Sequence, residues 1–316
     1  MSARAPIAQA HQAPPKPARA GPSPPGCPAG AAVLAWLSWR GLTWAAVLSC
    51  TRWAPYPLPA KLGMPAPGRP VRDGSAGPLV IMPTYREAAN IERVLRRVRT
   101  TVSSSSVLVV DDDGGDGTAD LAEGVGRELG GVDVLRRPGK GGLASAYRDG
   151  FSWGLERGYD VLVGMDADLS HDATALPRIL AALSDGADVV VGSRYVPGGS
   201  TVDWPVGRRA LSRVGNWYAA HALNSSVADL TSAFRAYRAK TLRTVDFGAL
   251  KAEGYGWLIE LAYQLERSGA KFAEVPVQFI NRAEGRSKMS PKIAVESLRV
   301  VTLLALSARR ERRGGP

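Results

Sequence analysis

Val161-Leu162-Val163-Gly164-Met165-Asp166-Ala167-Asp168-Leu169-Ser170-His171-Asp172 is an apolar run that stops at two carboxylates one residue apart. A short hydrophobic run of this kind reads as a buried strand. Acidic residues where it stops sit at its carboxyl end, the edge at which open α/β sheets bind ligands. Asp residues at i and i+2 can share a hard divalent cation, and such cations commonly take phosphate oxygens as their remaining ligands. The same residues describe a surface turn equally well, so their neighbours must decide.

Outward from this stretch the pattern repeats. Pro78–Met82 reads as a strand that runs into Pro83-Thr84-Tyr85-Arg86-Glu87. Ile91, Val94, Leu95 and Val98 follow at helical spacing. Val107–Val110 is a second strand ending in Asp111-Asp112-Asp113, and a glycine-rich turn leads to a helix carrying Leu121, Val125 and Leu129. Val132–Leu135 is a third strand, followed by Arg137-Pro138-Gly139-Lys140-Gly141-Gly142 and a helix over Leu143–Arg157. Val161–Met165 is the fourth strand, Leu176–Leu183 a helix, and Asp188–Gly192 a fifth strand ending at Ser193-Arg194-Tyr195. Alternating strands and helices predict an α/β fold, a mostly parallel sheet flanked by helices. Each polar cluster directly follows a strand. Glu87, Asp111, Asp112, Lys140, Asp166, Asp168 and Arg194 therefore gather on one edge of that sheet, which solvated loops have no reason to do.

Charge is unevenly distributed. The 316 residues carry a net +11. Residues 1–70 hold seven Lys or Arg and no acid, and Arg309-Arg310-Glu311-Arg312-Arg313 adds a further +3. The body between is near neutral, which excludes a uniformly basic nucleic-acid binder. Basic ends suit solvated tails or an anionic membrane surface. Residues 1–75 form a Pro- and Ala-rich extension predicted to be disordered. Within it, 31–50 is a weakly apolar stretch with Arg40 at its centre, poorly suited to spanning a bilayer. Met64 is a second candidate start for the native chain. The two cysteines, Cys27 and Cys50, match no disulfide or zinc spacing, which suits a reducing compartment.

Several α/β chemistries are excluded by motif. The first strand leads into Pro-Thr-Tyr-Arg-Glu rather than G-x-G-x-x-G, Lys140 is followed by Gly141 rather than Ser or Thr, and G-x-S-x-G is absent. An acidic, metal-dependent nucleotide site remains. Pro83-Thr84-Tyr85-Arg86-Glu87, Val110-Asp111-Asp112, Asp116-Gly117-Thr118, Lys140-Gly141-Gly142-Leu143 and Asp166-Ala167-Asp168 resemble the inverting family-2 glycosyltransferases of the GT-A fold. The resemblance narrows to the dolichol/polyprenol-phosphate mannose synthases through Met165 to His171, Gly192 to Tyr195, Arg208 to Arg213 with Asn216, Asp229 to Arg238, Gly254-Tyr255 with Glu260, Glu274 to Val277, and Arg282 with Gly285 to Met289. It runs unbroken over roughly 78–292. Asp113, Gly114-Gly115 and Ala233 depart from the family pattern.

The resemblance implies a GT-A domain over 76–292 that transfers mannose from GDP-mannose to a polyprenyl phosphate with inversion. Pro83, Tyr85, Glu87 and Asp112 are then expected at the base and ribose, and Lys140 at the diphosphate or ribose. Asp166 and Asp168 would hold Mg²⁺ or Mn²⁺. Ser170 is a third contact or, equally, a helix N-cap, and His171 a neighbour rather than a ligand. Arg194, Arg208, Ser212, Arg282 and Lys288 would hold the acceptor phosphate. Such a monophosphate is largely ionised near neutral pH, with a second pKa of about 6. It needs cations for capture rather than a base. Residues 293–316 are predicted to form an amphipathic helix with a basic tail, either lying at the membrane interface or closing the core. Together these features imply a peripheral enzyme on the cytoplasmic face of a membrane, with a membrane-anchored protein as a further partner. The rival within the family is a polyprenyl-phosphate glucosyltransferase using UDP-glucose. The rival outside it is a non-catalytic subunit that binds nucleotide.

Overall fold

The computed structural model describes residues 77–281 and 291–313; the N-terminal extension and the expected acceptor residues Arg282 and Lys288 lie outside them. The described chain alternates strands and helices as the sequence predicts. Strands β1 (Leu79–Thr84), β2 (Ser106–Asp111), β3 (Val132–Arg136), β4 (Val161–Gly164) and β5 (Val189–Ser193) fall on the five apolar runs, with ends moved by two residues at most. Between them lie α1 (Ile91–Thr101), α2 (Thr118–Leu129), α3 (Leu143–Glu156) and α4 (Leu176–Ser184). The chain continues through β6 (Ser200–Val202), α5 (Val206–Leu223), β7 (Arg235–Arg238), α6 (Ala239–Leu242), α7 (Gly254–Arg267), β8 (Phe272–Pro276), β9 (Gln278–Ile280) and α8 (Pro291–Arg313).

Seven strands form one sheet in the order β3-β2-β1-β4-β7-β5-β8, and β6 pairs with β9 in a small second sheet. β7 runs antiparallel to both β4 and β5, so those two are parallel to each other and end on the same edge. The sheet is buried on both faces. Val80 and Met82 of β1 pack into the core under α1 and α4, while Leu79 and Ile81 pack beneath α3 and α7 with Tyr147, Phe151 and Trp257. Burial on both faces is why these strands read as continuous apolar runs rather than as alternation.

Two features differ from the sequence reading. The buried face of α2 is Thr118, Ala119, Ala122 and Val125, and Leu121 is exposed. β7, Arg-Ala-Tyr-Arg, carries no apolar run, yet Arg235 is fully buried. Its two terminal guanidinium nitrogens donate to the carbonyls of Leu230 (2.6 Å), Leu258 (3.1 Å) and Asp229 (3.3 Å), which offsets the burial of the charge. No helix among the described residues is long and apolar enough to cross a membrane.

β4 ends at Gly164, where a Cβ would stand 2.8 Å from the Ala233 carbonyl oxygen and 3.0 Å from the Tyr147 ring. Backbone cannot yield cheaply there. Gly164→Ala is expected to cost about 1–3 kcal/mol through overpacking, read as a lower denaturant midpoint with an unchanged m-value.

Candidate active site

The carboxyl edge of the sheet gathers the predicted residues. The first group is the loop after β4. Leu169, a buried branched residue, sits at φ +61°, in the left-handed region that bulky side chains avoid. This turn lets the Ser170 N–H donate to Asp168 Oδ1 (3.0 Å). His171 holds the loop from beneath. Its Nδ1 accepts the Asp166 N–H (3.0 Å), its ring stacks on Phe234 with centroids 5.0 Å apart, and its backbone bridges Phe279 of β9. That acceptance puts the ring proton on Nε2, 3.9 Å from Asp166 Oδ2. Burial lowers the His171 pKa against the opposing charges of Asp166 and Asp168, so the ring is neutral near pH 7. His171 is thus a strut for the acidic loop. On the other side, the Tyr147 hydroxyl lies 3.5 Å from Asp166 Oδ1.

Asp166, Asp168 and Ser170 fit a hard cation. Asp168 and Ser170 are buried, and the Ser170 hydroxyl has no hydrogen-bond partner among the described residues. Capping falls instead to Asp172, whose Oδ1 accepts the Thr174 N–H (3.0 Å). Among the described residues no cluster of three His, Cys, Asp or Glu could complete a cage. Two carboxylates and a hydroxyl suit an ion that fills its shell with diphosphate oxygens and water, as Mg²⁺-type sites do.

The second group lies over β1 to β3. Tyr85 presents its ring to Lys140, whose Nζ stands 4.5 Å from the centroid. Pro83 is in register with Val110 of β2. Glu87 is buried at the entry to α1, where its Oε2 accepts from Asn90 (3.1 Å) and its carbonyl accepts the first helical N–H groups. Asp112 is engaged from three sides. Its Oδ2 accepts the N–H groups of Gly141 (3.0 Å) and Gly142 (2.9 Å), and its Oδ1 pairs with Arg137. Arg137 also pairs with Asp149 (3.0 Å). Asp112 therefore shapes the Lys140 loop. Nothing in the sequence marked Arg137 as its partner. Gly114, where the chain departs from the family pattern, is required by its neighbour. Arg86 is at φ +60°, and a Cβ on Gly114 would stand 2.6 Å from Arg86 Cγ.

The third group follows β5. Arg194 is buried and gripped by Asp229: Nε to Oδ2 at 2.7 Å, Nη2 to Oδ1 at 2.6 Å, and the backbone N–H to Oδ2 at 3.0 Å. Nη2 also donates to Thr231 (2.8 Å). This leaves Nη1 as the end Arg194 can offer a ligand. Burial alone would raise the Asp229 pKa, but the Arg194 charge and hydrogen bonds outweigh it and hold the carboxyl below its usual range. Glu274 braces the loop by accepting the N–H groups of Ala228 (2.8 Å) and Asp229 (3.1 Å). Arg208, Ser212 and Asn216 recur every four residues on α5, and therefore share one face. Arg208 stacks on Trp204, with its Cζ 3.8 Å from the ring centroid, and donates to Asn281 (3.2 Å). Ser212 accepts the Tyr195 hydroxyl (2.6 Å), and Asn216 donates to Thr231 (3.0 Å).

One cavity connects the first and third groups. Its lining includes Asp166, Arg194, Arg208 and Ser212 together with the apolar Leu211, Ile259, Leu298 and Val301. Sequence reasoning had placed the four polar residues together. It missed Trp204 and Asn281, which have no motif of their own, and gave Tyr195 no role although it lies in a quoted motif.

An acidic loop and an arginine cluster on the carboxyl edge of this mostly parallel sheet define an α/β transferase site of the GT-A type. Comparison with known proteins gives the family. Residues 79–246 match the model of glycosyl transferase family 2. The chain is 47% identical over 233 residues to an undecaprenyl-phosphate mannosyltransferase of Micrococcus luteus, covering 74% of this chain and 96% of that protein. It is 41% identical over 238 residues to a polyprenol monophosphomannose synthase of Mycolicibacterium smegmatis, covering 75% and 90%. Among solved structures it is similar in fold to glucosyl-3-phosphoglycerate synthase from Mycobacterium tuberculosis, in complex with Mn²⁺, UDP-glucose and phosphoglyceric acid. The TM-score is 0.55 at 18% identity, over 74% of this chain and 80% of that one. The chain belongs to glycosyl transferase family 2 and is a glycosyltransferase.

Asp229→Asn removes the charge opposite a buried guanidinium and is expected to cost about 3–5 kcal/mol at pH 7. The sign with pH follows from the lowered pKa. The wild-type contribution is complete above the unfolded carboxyl value of about 3.9, and is lost as pH falls through the lower folded value. Unfolding measured against pH should show the gap between wild type and variant closing only as pH falls below about 3.9, toward the lower folded value.

Proposed function

We propose that this chain transfers mannose from GDP-mannose to a polyprenyl (dolichyl-type) monophosphate, with inversion to a β-linked product. The supporting observation is a cavity lined by Asp166 of the acidic loop, by Arg194, Arg208 and Ser212, and by the apolar Leu211, Ile259, Leu298 and Val301. A cavity that offers both cations and apolar side chains suits a phosphate carried on a hydrocarbon chain. The names of the relatives, an undecaprenyl-phosphate mannosyltransferase and a polyprenol monophosphomannose synthase, support the same sugar and acceptor class.

On this reading Tyr85, Pro83 and Glu87 receive the base and ribose, while Asp112 positions the glycine loop from which Lys140 reaches the donor. Asp166 and Asp168, with Ser170, hold Mg²⁺ or Mn²⁺. The bound ion supplies Lewis-acid stabilisation of the charge that develops on the leaving diphosphate. Arg194 through Nη1, Arg208 and Ser212 fix the acceptor phosphate, and Arg282 and Lys288 are assigned to it from the sequence alone. Arginine suits this task because its planar fork meets phosphate oxygens two at a time. The chain's contribution is placement: an ionised phosphate held in line with the anomeric carbon needs no separate base.

The catalytic unit is read as 76–292, with 1–75 as an extension and 293–316 as helix and tail. Apolar side chains near the cavity mouth suggest how the lipid is reached. Leu211, Val214 and Trp217 of α5 are exposed, as are Val295, Leu298, Leu303 and Leu306 of α8, while Val301 and Ala308 of α8 pack inward. One side of the C-terminal helix therefore packs into the core, and the other faces outward. Docking on the cytoplasmic face of a membrane, alone or beside a membrane-anchored protein, would cover this surface.

Radiolabelled GDP-mannose, but not UDP-glucose, should pass label to a short polyprenyl monophosphate; label from UDP-glucose alone would overturn the donor assignment. Chelation should abolish the transfer and added Mg²⁺ or Mn²⁺ restore it. Asp168→Ala should lower kcat by about 10²-fold or more, and an undiminished rate would remove the metal role. Arg208→Ala should raise the acceptor KM while leaving the donor KM within about twofold, against roughly tenfold for the acceptor from one lost charge-assisted hydrogen bond.

A further inference from the structure

Trp204 is 5% exposed and lies between two cations. The Arg208 guanidinium stacks on its ring at 3.8 Å, Arg194 stands 5.6 Å from it, and Phe279 meets it edge-on at 5.4 Å. Stacking accounts for the ring. It does not account for the indole nitrogen. Nε1–H is buried with no hydrogen-bond partner among the described residues, although Trp204 lines the cavity. A buried donor left without an acceptor is unfavourable, and a specific case in a folded protein calls for an explanation. The same cavity is lined by the cationic Arg194 and Arg208 and the hydroxyl of Ser212. An anionic oxygen entering that cavity would supply the missing acceptor.

We propose that Trp204 Nε1–H donates a hydrogen bond to a phosphate oxygen seated between Arg194 and Arg208, making Trp204 a further substrate-binding residue. On the function proposed above, which this inference deepens, that phosphate is the acceptor's monophosphate rather than the donor's diphosphate. The indole then has two tasks. Its face holds the Arg208 guanidinium in place, and its edge supplies a neutral donor where a third cation would repel the other two.

Three enzymes separate these tasks: wild type, Trp204→Phe, which keeps a stacking face and loses the donor, and Trp204→His, which keeps a ring N–H on a poorer face. With GDP-mannose and a short polyprenyl monophosphate, Trp204→Phe should raise the acceptor KM about tenfold with the donor KM unchanged. Trp204→His should recover part of that loss. A purely packing role predicts the reverse order, with Phe better than His, and that order would overturn the inference. So would a rise confined to the donor KM, which would place the hydrogen bond on the diphosphate. The wild-type protein provides a second readout that does not depend on the variants' stability. The indole N–H resonance absent from the Trp204→His spectrum should move downfield when the lipid phosphate, or inorganic phosphate alone, is added. A resonance that stays fixed under both overturns the inference. If wild type makes no mannolipid but the resonance moves with inorganic phosphate, the parent function fails while the phosphate contact stands.

Discussion

The Arg194–Asp229 pair is the interaction on which the site depends. Asp229 is fully buried and answers Arg194 with both oxygens. Charges at this depth are costly unless closely matched, and here the match is made redundant. Glu274 fixes the backbone of Asp229, Thr231 takes a further Arg194 donor, and Arg235 binds the Asp229 and Leu230 carbonyls from the core side. Hydrophobic substitution would make a simpler core. The polar version gives one guanidinium end a fixed direction at the end of β5.

A comparable logic governs the acidic loop. Two carboxylates close together repel when the cation is absent, so the loop must be held by something other than their own contacts. Leu169 adopts a left-handed backbone, His171 accepts the Asp166 N–H, and the Ile280 N–H donates to the Ser170 carbonyl (3.1 Å). These constraints come from β9 and from the core beneath β4. Strain of this kind persists only where the surroundings over-determine it. A neutral His171 is part of that arrangement, because on the proposed reading a second cation there would compete for the carboxylates assigned to the metal.

How much of this was legible in the chain depends on periodicity. β1, β2, β4 and β5 are buried on both faces, so they appear as uninterrupted apolar runs, and the acids and bases at their ends mark the edge. β7 escaped because its buried apolar residues, Ala236 and Tyr237, are flanked by Arg235 and Arg238, whose guanidinium groups donate to backbone carbonyls. The reading of α2 erred at Leu121 because its inward face is built of small residues, Ala119 and Ala122, which carry little weight in a hydrophobic pattern. At the site, Asp166, Asp168 and Arg194 were marked by their places after apolar runs, and Arg208 and Ser212 only by the family resemblance. Which of their atoms are already committed was not. The grip of Asp229 on Arg194, and of Arg137 and the glycine loop on Asp112, spans 25 to 35 residues of sequence and has no local signature.

Cations and carboxylates share one edge of this sheet. Arg194 pairs with Asp229, and Arg208 stacks on Trp204 and donates to the amide of Asn281. The two signs are carried by different core elements, α5 and β5 on one side and β4 on the other. In the proposed reaction two anions must meet, a diphosphate leaving and a monophosphate arriving. A site whose opposite charges had already neutralised each other could attract neither. Arg208 rests on the Trp204 ring and the Asp166 backbone on the His171 ring, so the two signs have different supports.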